Sequence, residues 1–94
     1  MRSDPFDSRA TYALARGLHG LNELPGCLTA LDQTLALEPG HYGAWRMRAM
    51  VCEATARVHE AVAAWESAAQ ACPDARAAQA IRDRLHNLRR SLTP

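Results

Sequence analysis

Residues 41–73 read HYGAWRMRAMVCEATARVHEAVAAWESAAQACP: two apolar runs with helical spacing, a break of small and polar residues around Ala56, and a terminating proline. Residues 7–39 read DSRATYALARGLHGLNELPGCLTALDQTLALEP and have the same plan. Pro39 and Pro73 stand 34 residues apart (73 − 39), a period expected of stacked helical hairpins. At this offset Ala10 matches Ala44, Ala15 matches Ala49, Ala30 matches Ala64 and Pro39 matches Pro73. Apolar or small character persists where identity does not, in Leu24 with Val58, Cys27 with Ala61, Leu28 with Val62 and Leu31 with Trp65. A lone hairpin of this kind cannot bury its apolar face. Stacking buries that face and leaves a concave surface suited to binding.

Helix boundaries follow from the punctuation. Asp7 or Ser8 is the expected cap of a first helix over residues 9–20, with Tyr12, Ala15 and Leu18 at helical spacing beside Leu14. Gly20 and Asn22 supply the stop. Leu24, Leu28, Leu31 and Leu35 mark a second helix that ends near Leu37, before Pro39-Gly40. The cycle restarts with a third helix over residues 41–54 and a fourth over 58–72. From Asp74 onward, Ala78, Ile81, Leu85, Leu88 and Leu92 lie on one face of a fifth, amphipathic helix, with Arg82, Asp83, Arg89 and Arg90 elsewhere. No stretch alternates with period two for long enough to be a strand. The expected fold is all-α, with about five helices in antiparallel hairpins forming one domain: repeat one over 8–41, repeat two over 42–75 and a capping helix over 76–94.

Composition excludes several function classes. Of 94 residues, 48% are hydrophobic and 22% charged, as in ordinary globular proteins. Eleven basic residues, all Arg, nearly balance ten acidic ones to give a net charge of +1, unlike the excess positive charge of general nucleic-acid binders. The opening residues MRSDPFDS lack the apolar stretch of a secretory signal, and the cysteines are three: Cys27, Cys52 and Cys72. No run of about 18 apolar residues is present. The expectation is a cytoplasmic protein with reduced thiols and no membrane span.

Trp45-Arg46-Met47-Arg48-Ala49-Met50-Val51-Cys52, followed by Ala61, Trp65, Ala68 and Pro73, resembles the tetratricopeptide repeat pattern W-x₂-L-G-x₂-Y…A-x₃-F…P. Thr11, Leu14, Ala15, Leu18, Cys27, Leu31, Thr34 and Pro39 occupy the corresponding places of a degenerate first copy. Arg48, Cys52 and Ala56 depart from the pattern, standing for a core Leu, an aromatic residue and the Gly that commonly turns the chain. The resemblance covers residues 8–75 and implies a short right-handed solenoid closed by a solvating helix. It also implies that Ala15, Ala49, Ala61 and Cys27 are small because paired helices cross there. Leu31 and Trp65 are large because they fill the space between hairpins.

No catalytic constellation is visible. His19, His41, His59 and His86 are scattered; His59-Glu60 and Asp83 with His86 have only the spacing that helices produce by chance. Cysteine and histidine spacings lack the signatures of metal sites, and Gly17, Gly20 and Gly26 do not follow a strand, so neither a metal nor a cofactor is expected. What remains is the concave face. By the family resemblance it presents Arg9, Tyr12, Arg16 and His19 from the first helix, Arg46, Met50 and Glu53 from the third, and Arg84 and Asn87 from the fifth. Arginine offers carboxylates a planar, bidentate match, and Tyr12 and Met50 offer an adaptable apolar floor. The family's carboxylate clamp is matched near Arg16 alone, since Met47, Ala77 and Ile81 lack the polar groups it uses. The expected function is a non-catalytic adaptor or small chaperone that holds an acidic or amphipathic segment of a partner protein. The alternatives are self-assembly through the repeat faces or helix five, and nucleic-acid binding through Arg82, Arg84, Arg89 and Arg90.

Overall fold

Asp7 starts the first helix as a side-chain cap. Its carboxylate accepts from the backbone N–H of Arg9 at 2.9 Å, and α1 then runs Ser8–Gly20. The computed structural model describes residues 7–92, so the lead-in with Pro5 and the last two residues lie outside the described part. Four more helices follow: α2 Leu24–Leu37, α3 Tyr42–Ala54, α4 Val58–Ala71 and α5 Ala75–Leu92. The chain is all-α, and no described residue is in a strand. Both ends of α1 and of α2 reappear 34 residues later (42 − 8, 54 − 20, 58 − 24, 71 − 37). The repeat read from two prolines is therefore a repeat of the backbone.

The turns repeat as well. Asn22 (φ 59°) and Ala56 (φ 61°), also 34 apart, both adopt the left-handed conformation. Glu23 N–H donates to Leu18 O and Asn22 N–H to His19 O; Arg57 N–H donates to Cys52 O and Ala56 N–H to Glu53 O, all between 2.8 and 3.1 Å. This paired closure satisfies the carbonyls at a helix end and needs a residue at positive φ. Asn tolerates that conformation better than Ala, so hairpin two carries backbone strain at Ala56.

Several expected boundaries shift by a residue: α1 starts at Ser8 and α5 at Ala75, one residue early, while α3 starts one residue late and α4 ends one residue early. His41 precedes α3 and caps it, its Nδ1 accepting from Ala44 N–H at 3.0 Å. Cys72 follows α4 in extended conformation (φ −69°, ψ 124°), as a residue before proline must. Asp74 caps α5, accepting from Arg76 N–H at 3.1 Å.

Consecutive helices pack against one another: α1 on α2, α2 on α3, α3 on α4 and α4 on α5. The core has two parts. Ala15, Cys27, Ala30 and Leu31 of the first hairpin enclose Ala44 and Val51 of α3. Ala49, Cys52, Ala61, Ala64, Trp65 and Ala68 of the second enclose Ile81 and Leu85 of α5. Small residues at the crossings (Ala15, Cys27, Ala49 and Ala61, all fully buried) let each pair approach. Leu31 and Trp65 then fill the space toward the next element. The stack measures 51 × 28 × 19 Å, an elongated body built along one direction.

The first hairpin departs from the second at one buried contact. Hairpin two has Trp45 packed against the cluster that holds Ala68; at the equivalent places hairpin one has Thr11 and Thr34, whose hydroxyl oxygens lie 2.7 Å apart in the interior. Thr34 also reaches Ala30 O at 2.9 Å, and the Thr11 hydroxyl donates to Ser8 O at 3.0 Å, so neither is an orphan. Trp45 also fastens the α2–α3 loop, its indole N–H donating to Pro39 O at 2.8 Å. Among the described residues, no helix is long and apolar enough to cross a membrane.

Candidate binding groove

The 34-residue displacement brings Tyr12 to Arg46 and on to Ala80, Arg16 to Met50 and Arg84, and His19 to Glu53 and Asn87. The nine groove residues thus belong to equivalent rows of α1, α3 and α5. They do not all play the same part.

Arg46 and Arg84 border a depression of about 370 Å³ between α3 and α5, lined also by Tyr42, Trp65, Ala77, Ala80 and Ile81. Its floor is aromatic and aliphatic; its rim carries two guanidinium groups. Arg46 is exposed and forms no ion pair among the described residues. Arg84 is held. Its Nε and Nη2 donate to the two oxygens of Glu53 at 2.9 and 2.8 Å, a fork-to-fork pair between α5 and α3. Trp65 joins from α4, its indole N–H donating to the same carboxylate at 2.6 Å, while the Arg84 guanidinium lies 5.4 Å from the centre of its ring. These hydrogen bonds, that of Arg84 foremost, hold the Glu53 carboxyl below its ordinary range. Glu53, a groove residue expected from the sequence, has its carboxylate engaged by Arg84 and Trp65, because three helices converge on it.

Tyr12 also differs from a free groove residue. Its ring packs against His41 at 4.5 Å between centroids, and a Cβ built on Gly43 would lie 2.8 Å from its hydroxyl. Glycine at 43 is what lets α3 start this close to α1. Arg9 is drawn to Asp7, 3.1 Å away. Arg16, His19, Met50 and Asn87 are exposed. Arg46 and Arg84 are therefore brought together, whereas Arg9 is turned to its own helix start and Tyr12 into the α1–α3 junction.

Tyr42, Trp65, Ala77, Ala80 and Ile81 complete the depression and are not among the expected groove residues. Tyr42 precedes Arg46 by one helical turn, a signal available in the sequence. Burial, and then the neighbouring Cys72, push its phenol above the usual range, so it stands in the depression as a neutral hydroxyl. Ala77 and Ala80 matter by being small, and smallness in an exposed helix carries no sequence signal of a groove.

Other chemistry is sparse. Cys27 and Cys52 are fully buried, and burial raises both thiols, the reverse of what a reactive cysteine requires. Among the described residues, no three His, Cys, Asp or Glu side chains gather as a metal site. Of the four arginines considered for nucleic acid, Arg84 is paired with Glu53 and Arg89 with Glu66 at 2.9 Å. No protein-family model and no curated protein matches the chain.

Proposed function

We propose that this chain is a tetratricopeptide-like, non-catalytic binding module, an adaptor or small chaperone of the cytoplasm, which holds an acidic or amphipathic segment of a partner protein between α3 and α5. The observation that carries this reading is the depression with an apolar floor of Tyr42, Trp65, Ala77, Ala80 and Ile81 and an arginine at each side. An amphipathic helix would lay its apolar side chains on that floor and direct carboxylates to Arg46 and, one row toward α1, Arg16. The repeated helix bounds and repeated turn closures support the family assignment.

Affinity capture with the wild-type chain and with the double variant Arg16→Glu, Arg46→Glu tests the proposal. Partners recovered by the wild type should be lost from the variant, whose circular dichroism should be unchanged because both side chains are exposed. Equal recovery of those partners by both proteins would rule out the groove.

A further inference from the structure

The two arginines of the depression are not equivalent donors. Arg46 is exposed and pairs with no acid among the described residues. Arg84 already holds a carboxylate: its Nε and Nη2 meet both oxygens of Glu53 at 2.9 and 2.8 Å, and the Trp65 indole N–H adds a third bond at 2.6 Å. Bidentate pairs of this kind are among the strongest that side chains form. A ligand carboxylate brought to Arg84 must either meet the like charge of Glu53 or displace it. Displacement is costly, because Trp65 is buried and its indole N–H would lose its acceptor in the interior. The donors left on Arg84 belong to a guanidinium whose charge is already answered. The repeat shows that stacking does not require this arrangement. One repeat earlier, Met50, His19 and Leu31 hold the places of Arg84, Glu53 and Trp65, and none of the three can form it.

We propose that Glu53 sets the specificity of the groove: the bound segment directs its carboxylates toward α1, at Arg46, and carries none toward α5, where Glu53 stands in for one. The proposal rests on the reading of the depression as a binding groove. It narrows the occupant from acidic segments in general to an amphipathic helix whose acidic residues lie at one end of its apolar stripe. Arg46, Arg84 and Glu53 together leave the rim a single positive charge, so a second ligand carboxylate finds no unmatched partner there. The floor agrees with this polarity, since Ala77, Ala80 and Ile81 all belong to α5 and offer that side of the ligand only apolar contact. A polyacidic segment is thus rejected by a charge built into the groove, as selective sites commonly do.

The probes are two alanine-based helical peptides with the same leucine stripe. One has glutamate at one end of the stripe and glutamine at the other; the second has glutamate at both ends. Titration of the full chain, followed by nuclear magnetic resonance through the Nε–H signals of Arg46 and Arg84, gives both the affinity and the place of binding. Wild type should bind the two peptides within about two-fold of each other, with the larger shift at Arg46. Two available arginines would instead favour the doubly acidic peptide by roughly ten-fold, the worth of one hydrogen bond to a charged group. Glu53→Gln, of equal size, should create that preference, and adding Arg84→Gln to it should abolish the preference again. Glu60→Gln removes the same charge from an exposed pair with Arg57 and should leave the ratio at its wild-type value. Circular dichroism checks that each variant is folded, and the wild-type comparison needs no substitution at all. A wild type that favours the doubly acidic peptide about ten-fold, or a ratio unchanged in Glu53→Gln, would overturn the inference and leave the groove in place. Arginine signals moved by neither peptide would remove the groove itself and the inference with it.

Discussion

Trp65 is the side chain on which the second half of the stack most depends, and its removal has a magnitude that the structure sets. It is 5% exposed and touches a cluster that spans α3, α4 and α5. Trp65→Ala removes this contact and leaves a void among alanines, which are too small to collapse into it. The expected cost is about 3–5 kcal/mol. Set against a total of roughly 5–15 kcal/mol for a domain, this is a large fraction of all the stability there is. At about 4–8 °C per kcal/mol for a chain of this size, the midpoint should fall by more than about 12 °C. Trp65→Phe separates packing from polarity. It keeps most of the apolar volume and deletes the 2.6 Å hydrogen bond to Glu53. The Glu53 carboxylate would still be held by the Arg84 fork. No orphaned charge results, and the cost should be nearer 1–2 kcal/mol, about the worth of a charged hydrogen bond in a partly open site. Urea and thermal melts followed by circular dichroism at 222 nm measure both variants; Trp45 remains as a fluorescent reporter. A Trp65→Ala midpoint within about 2 °C of wild type would refute the packing described for α4 and α5, and equal losses for Ala and Phe would refute the division between them.

Ala56→Gly should stabilise the chain by up to about 1 kcal/mol, because φ is 61° at this turn and glycine adopts that conformation without strain; thermal denaturation shows the sign directly. Gly43→Ala should displace Tyr12, whose hydroxyl would be 2.8 Å from the new methyl, with a net stability change within about 1 kcal/mol because alanine's helix preference offsets the shift; the tyrosine near-ultraviolet dichroism and the melt report the two effects. Glu53 has a folded pKa below its ordinary 4.5, so its contribution is fully present above 4.5 and is lost as pH falls through the lowered value. Stability measured from pH 6 to pH 2 should therefore fall less steeply in Glu53→Gln than in wild type, and parallel curves would show that the Arg84–Glu53 pair contributes nothing.

The helices are legible in the sequence because their signals are local. Pro39 and Pro73 each end a helix through the chain just before them, and the period of Leu24, Leu28, Leu31 and Leu35 marks one face without reference to anything distant. Small residues at crossings follow from the repeat, since the same place holds Ala15 in one copy and Ala49 in the other. The groove is less legible. Arg46 and Arg84 can be found because equivalent rows of a stack share a face. The partners of Glu53 are not legible, because they are Arg84, thirty-one residues away, and Trp65 approaching from a third helix. No single-helix pattern encodes that convergence. The surroundings of Tyr12 are hidden for a similar reason: its hydroxyl lies close to Gly43, and that approach is a property of two helices together. Leu14 lies beside a buried face in the helical pattern yet is exposed, since no hairpin among the described residues stands where one would cover it.

The two ends of the stack are consequently unequal. At the α5 end an amphipathic helix covers hairpin two, and the Glu53–Arg84 fork with Trp65 ties α3, α4 and α5 into one unit. At the α1 end two buried threonine hydroxyls stand where hairpin two has a tryptophan and an alanine, and nothing described covers the outer face of α1. Stability in a stacked array is the sum of each hairpin's own stability and its contacts with neighbours. Among the described helices, hairpin two has neighbours on both sides, whereas hairpin one packs on α3. Local opening should begin at α1 and reach α4 last, a gradient along the chain rather than a uniform transition. A ligand between α3 and α5 would act on the end already held.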